Sequence, residues 1–94
     1  MVLHLGGDVV IPTKDIVAIF DVEIIKNSEI NKEFLEIAKD EGFVQSVSDE
    51  EPKSFVLVES ENKTMMYMSP IASSTLLKRS RSIEDISSAE KGHE

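Results

Sequence analysis

The sequence predicts an α+β domain: a small, mainly antiparallel sheet of five or six short strands, with one longer helix and one short helix. Three observations predict it. Short apolar runs broken by Gly, Pro and Asp fill the first third of the chain. The hydrophobic period then becomes helical over residues 30–41. Two further apolar runs flank the turn Ser60-Glu61-Asn62-Lys63 and read as an antiparallel hairpin. With 94 residues, the chain holds one core and no second domain.

The elements follow in order. Val2-Leu3-His4-Leu5 alternates, Gly6-Gly7-Asp8 is a turn signal, and Val9-Val10-Ile11 resumes until Pro12-Thr13-Lys14-Asp15. Ile16-Val17-Ala18-Ile19-Phe20 is apolar throughout, which suits a central strand covered on both faces or one buried by a partner subunit. Ile30, Phe34, Ile37 and Ala38 recur at helical spacing with Leu35 beside them, so this stripe is expected to face the core. Asn27 or Ser28 can cap that helix, and Gly42 stands where a C′ glycine belongs. Strands are expected at Phe43–Val47, Ser54–Glu59 and Thr64–Met68. Ser69-Pro70 offers an N-cap and a first-turn proline for a short helix from Ile71 to about Ser80, with Leu76 and Leu77 facing inward. The domain is expected over residues 1–82, and the polar segment 83–94 as a disordered tail.

Composition narrows the function classes. The chain is 40% hydrophobic and 30% charged, as expected of a globular protein. Its 18 acidic and 10 basic residues give a net charge of -8, which opposes indiscriminate binding of polyanions. There is no cysteine, hence no disulfide, no thiolate metal site and no cysteine nucleophile. His4 and His93 are too far apart in sequence for a histidine-rich metal site. No apolar run is long enough to span a membrane and no secretory signal opens the chain, so a cytoplasmic location is expected.

Chemistry-bearing motifs are few. Gly6-Gly7 lacks the rest of a P-loop or dinucleotide fingerprint and reads as a tight turn. Asp8, Asp15 and Asp21 have no calcium-loop spacing and read as capping or solvated carboxylates. His4 reads as an exposed strand residue opposite Leu3 and Leu5. Ser73-Ser74 reads as helix-end chemistry, and no serine sits in a nucleophile elbow, so no catalysis is expected. Phe20, Phe34, Phe43, Phe55 and Tyr67 sit on apolar faces and are expected in the core rather than stacked on bases. Charge is uneven. Residues 62–83 contain no acid but carry Lys63, Lys78, Arg79 and Arg81. Lys78-Arg79-Ser80-Arg81 reads either as a solvated, dipole-compensating last helical turn or as a phosphate-binding cluster.

Three stretches carry a resemblance. Leu3-His4-Leu5-Gly6-Gly7-Asp8-Val9-Val10, Lys14-Asp15-Ile16-Val17-Ala18-Ile19-Phe20-Asp21 and Ser69-Pro70-Ile71-Ala72-Ser73-Ser74-Thr75-Leu76-Leu77-Lys78-Arg79, with Pro52-Lys53-Ser54 between them, resemble the RemB (YaaB) type of bacterial extracellular matrix regulator, in the RemA family. The likeness covers roughly residues 1–82. It implies a DNA-binding transcriptional regulator of biofilm matrix genes with a LytTR-like fold, assembled as a ring of subunits. It implies no cofactor, metal, membrane or small-molecule substrate. Under it, double-stranded DNA would meet Lys53, Lys78, Arg79 and Arg81, with Lys14 second, and Ile16, Ala18 and Phe20 would form the oligomer interface. The sequence departs from RemA in one place. Where RemA has an arginine-rich loop, this chain reads Asp49-Glu50-Glu51-Pro52-Lys53. That acidic loop motivates an alternative: an oligomeric module that binds a protein, such as a RemA-like regulator, instead of DNA.

Overall fold

A computed structural model of the chain describes residues 1–80. Arg81 and the expected tail 83–94 lie outside the described residues. Strands β1 (Val2–Gly6) and β2 (Val9–Pro12) form a two-stranded antiparallel sheet. A 3-10 turn, Thr13–Asp15, leads into β3 (Ile16–Asp21). Helices α1 (Val22–Lys26) and α2 (Glu29–Asp40) follow, then β4 (Val44–Ser46), β5 (Ser54–Ser60), β6 (Lys63–Ser69) and a third helix, α3, over residues 73–80. The second sheet has four strands in the order β3-β5-β6-β4.

The two faces of that sheet are covered differently, as the period-2 pleat requires. Val56 and Val58 of β5 join Leu3, Leu5, Ile11 and Leu76 in one core cluster, so the β1–β2 hairpin and α3 cover this face. Phe55 of β5 and Met66 of β6 join Ile25 and Leu35 in another, so α1 and α2 cover the opposite face. The result is three layers: hairpin with α3, sheet, and helix pair.

Several local expectations hold. Gly6 and Gly7 form the β1–β2 turn with φ of 122° and 54°, and a Cβ on Gly7 would lie 2.6 Å from the Val47 carbonyl oxygen. Glycine is needed there for both conformation and space. Ser28 caps α2, its hydroxyl accepting from the Asn31 amide at 3.2 Å. Gly42, with φ of 82°, ends the helix, and the bonds Phe43 N–H to Ala38 O (2.8 Å) and Gly42 N–H to Lys39 O (3.1 Å) make a Schellman motif.

Others are corrected. The strand pairing is mainly antiparallel as expected, but β4 pairs parallel to β6, which makes the four-stranded sheet mixed. The loop after β4 arches over the end of β6, with Val47 N–H donating to Met68 O and Lys53 N–H to Ser69 O, and so delivers the chain to β5 on the far side. β3 is an edge strand, not a central one. A register shift between Ile16 and Ala18 turns Val17 outward. Asn27 ends α1, a helix not expected from the sequence, whose start is capped by Asp21 Oδ1 accepting from Glu23 N–H at 2.8 Å.

The α2 stripe also differs. Leu35 and Ala38 are buried, but Ile30, Phe34 and Ile37 are 77%, 61% and 62% exposed. Phe43 and Leu77 are likewise exposed, while Phe55 and Leu76 are core. Ser69 does not cap α3. The Ala72 carbonyl accepts from Leu76 N–H at the helix start, and the buried Ser69 hydroxyl points to β1 instead.

Candidate nucleic-acid interface

The cationic candidates are placed by the sheet register. β3 runs antiparallel to β5, with Ile16 opposite Val58 and Asp21 opposite Ser54. Lys14, just before β3, and Lys53, just before β5, therefore lie at opposite ends of the sheet, roughly 15 Å apart along the strands. Lys14 Nζ is engaged with the adjacent Asp15 carboxylate at 3.1 Å. The structure does not join Lys14 to the other candidates.

Lys53 shares its end of the sheet with the entrance to α3. The Ser54 hydroxyl donates to Ile71 O at 2.7 Å, and the Ser73 hydroxyl donates to Asp21 Oδ2 at 3.3 Å. These two bonds hold the first turn of α3 against β5 and the start of α1. From there Leu76 anchors the helix in the core, leaving Lys78 and Arg79 exposed in its second turn. The eight described helical residues span about 12 Å, so Lys53 and the Lys78–Arg79 pair lie toward opposite ends of that described stretch. Arg81 falls beyond the described residues.

Acidic groups crowd the same end. Asp49, Glu50 and Glu51 are exposed on the arch that leads to Lys53. Glu51 lies 3.9 Å from Lys26 Nζ, an exposed pair of small energetic weight. The Glu50 amide is held by the Ser48 hydroxyl at 3.1 Å, which gives the arch a fixed turn. A phosphate approaching Lys53 meets these carboxylates, whereas one approaching Lys78 and Arg79 meets a helix without acidic residues.

The expected interface residues Ile16, Ala18 and Phe20 are half-buried on the edge strand. Ile16 packs toward the hairpin cluster and Phe20 toward the helix cluster, so part of this apolar run is used within the chain. The outward side chain is the neighbouring Val17. The sequence did not single it out, because only the bulge turns it from the alternation.

The remaining polar candidates have structural partners. His4 is exposed and its Nε2 lies 2.9 Å from Gly7 O across the hairpin turn. Asp21 caps α1 and accepts from Ser73. Among the described residues no three His, Asp or Glu side chains gather as a metal site, and no helix is long and apolar enough to cross a membrane.

A small mixed α+β domain with a short basic helix laid beside a hairpin is thus the setting for comparison with known proteins. Residues 2–79 match the RemA-like family, described as extracellular matrix regulatory protein A-like, and the chain belongs to that family. It is also similar to extracellular matrix regulatory protein B of Bacillus subtilis (strain 168), 42% identical over 88 residues that cover 94% of this chain and 100% of the relative.

Proposed function

We propose that this protein is a homo-oligomeric regulator of extracellular matrix genes that binds duplex DNA through phosphate contacts from Lys78, Arg79 and Arg81, assisted by Lys53. The observation that carries this reading is the placement of Lys78 and Arg79. They stand exposed on α3, in an acid-free segment, on the sheet face opposite the carboxylate-rich α2. The described part of α3 thereby offers a local basic site on a chain whose net charge is -8.

Three or four phosphate contacts per copy would lose on the order of 100-fold in affinity between 50 and 200 mM salt, which is weak anchoring for one protomer. Repetition around an assembly multiplies the contacts. The edge strand β3 supplies a site for such assembly, since its outer edge offers backbone groups beside Ile16, Ala18 and Phe20. A cytoplasmic location fits this role.

The test is fluorescence anisotropy with AT-rich duplex DNA at low and physiological salt, on an oligomer defined by light scattering. Binding that weakens steeply with salt and disappears when Lys78, Arg79 and Arg81 become Glu supports the reading. Unchanged affinity in that variant removes the proposed surface. The acidic arch at Asp49–Glu51 favours a second reading, an oligomeric module for a protein partner such as a RemA-like regulator. That reading expects no DNA binding even at low salt, and a monodisperse monomer without a partner would sink it.

A further inference from the structure

The end of β3 grips two separate parts of the chain. Asp21 is the last residue of β3 and the N-cap of α1. Its Oδ1 accepts from Glu23 N–H at 2.8 Å, and its Oδ2 accepts from the Ser73 hydroxyl at 3.3 Å. The next residue, Val22, donates its N–H to Lys53 O at 3.1 Å. One joint therefore holds the backbone of Lys53 on one side and the first residue of α3 on the other. The sheet register reinforces it, since Asp21 lies opposite Ser54, whose hydroxyl holds Ile71 O.

A helix needs a directional contact to fix its rotation about its own axis. At 100° per residue, Ser73 and Leu76 lie about 60° apart on α3, while Lys78 and Arg79 fall about 140° and 120° away from Ser73 on either side. Burial agrees with this placement: Ser73 and Leu76 are buried, and Lys78 and Arg79 are exposed. Leu76 holds the helix down through apolar contact, which is non-directional. Ser73 supplies the directional contact. Among the described residues, its bond to Asp21 is the only side-chain hydrogen bond that α3 makes.

We propose that Asp21 is a positioning residue for DNA binding: through Ser73 it sets the rotation of α3, and with it the placement of Lys78 and Arg79 relative to Lys53. This rests on the DNA-binding reading and adds to it an acidic residue that touches no phosphate. Charge alone gives Asp21 the opposite role, because a carboxylate near a phosphate site repels it.

The test separates position from charge and from folding. Ser73→Ala removes the hydroxyl. Asp21→Asn and Asp21→Ser remove the same charge and both keep a capping side chain for α1, but only asparagine is long enough to reach Ser73. Affinity for AT-rich duplex DNA is measured by fluorescence anisotropy across a salt series. Circular dichroism confirms folding, and light scattering confirms an unchanged assembly. Expected is a loss of about fivefold in Ser73→Ala, the size of one hydrogen bond. The slope of log affinity against log salt should flatten by about one unit, as one simultaneous phosphate contact is lost. A variant that is merely less stable loses affinity without that change in slope. Asp21→Asn should bind more tightly than Asp21→Ser by the same factor, and Ser73→Ala should add nothing in the Asp21→Ser background. Parent-like affinity in Ser73→Ala, or an equal loss from it in both backgrounds, overturns the proposal and leaves the DNA-binding reading standing. A parent chain that binds no DNA even at low salt overturns that reading and the proposal with it.

Discussion

The Ser69 hydroxyl donates to the Leu5 carbonyl oxygen at 2.6 Å and accepts from the Ile71 amide at 3.0 Å, joining the hairpin layer to the sheet and to the approach to α3. Its register partner, Ser54, donates to Ile71 O at 2.7 Å. Both serines are fully buried. Two small hydroxyls thus satisfy backbone groups where the sheet meets the layer of hairpin and α3. Ser69→Ala should leave the Leu5 carbonyl and the Ile71 amide without this partner and cost about 1–3 kcal/mol. Urea denaturation would show it as a lower midpoint at an unchanged slope.

Gly7 and Gly42 separate two kinds of glycine requirement. Both have positive φ, but a Cβ on Gly7 meets the Val47 carbonyl oxygen at 2.6 Å while one on Gly42 meets nothing within 4 Å. Gly42→Ala should cost about 1 kcal/mol, the ordinary penalty of a left-handed residue. Gly7→Ala should cost roughly 2–4 kcal/mol, since backbone must move as well. Thermal denaturation of the two variants should therefore rank Gly7→Ala clearly below Gly42→Ala.

The two stripes of α2 should respond unequally to truncation. Leu35→Ala removes a core side chain and should destabilise by about 2–4 kcal/mol. Phe34→Ala, at an exposed site, should cost less than about 1 kcal/mol. Equal losses in chemical denaturation would mean that Phe34 is covered in solution.

If α3 contacts phosphates, Lys78→Glu should flatten the plot of log affinity against log salt by about one unit or more. Lys14→Glu should leave the slope within error, because Lys14 lies at the other end of the sheet and is engaged with Asp15. Parallel salt titrations of the two variants check this directly.

The sequence made the local elements legible where chemistry is local: the Gly6-Gly7 turn, the Ser28 cap, the Gly42 stop and the β5–β6 hairpin all appear as read. It did not reveal which side of α2 faces inward. Five apolar positions between Ile30 and Ala38 make a stripe wider than one contact surface, and only tertiary packing selects the Leu35–Ala38 side. Helix α1 was hidden by its Val, Ile and Ile, which favour strands, and its signals were the Asp21 cap with Glu23 in the first turn and Lys26 in the last. The direction of three-residue β4 has no sequence signature at all. The exposed cations of α3 could be read from the chain, but the separation of Lys14 from Lys53 depends on strand order. The run Ile16–Phe20 suggested a doubly covered strand because the bulge that turns Val17 outward follows from register, not composition.

The close approach of Gly7 to Val47 has a reach beyond the hairpin. Val47 is the springing point of the arch that carries Asp49, Glu50 and Glu51, and it is clamped between the Met68 carbonyl and the turn at Gly7. The hairpin turn therefore acts as an abutment for that arch. Any side chain added at position 7 would displace the acidic crown as a unit and alter the local field at Lys53, with no charge having been changed.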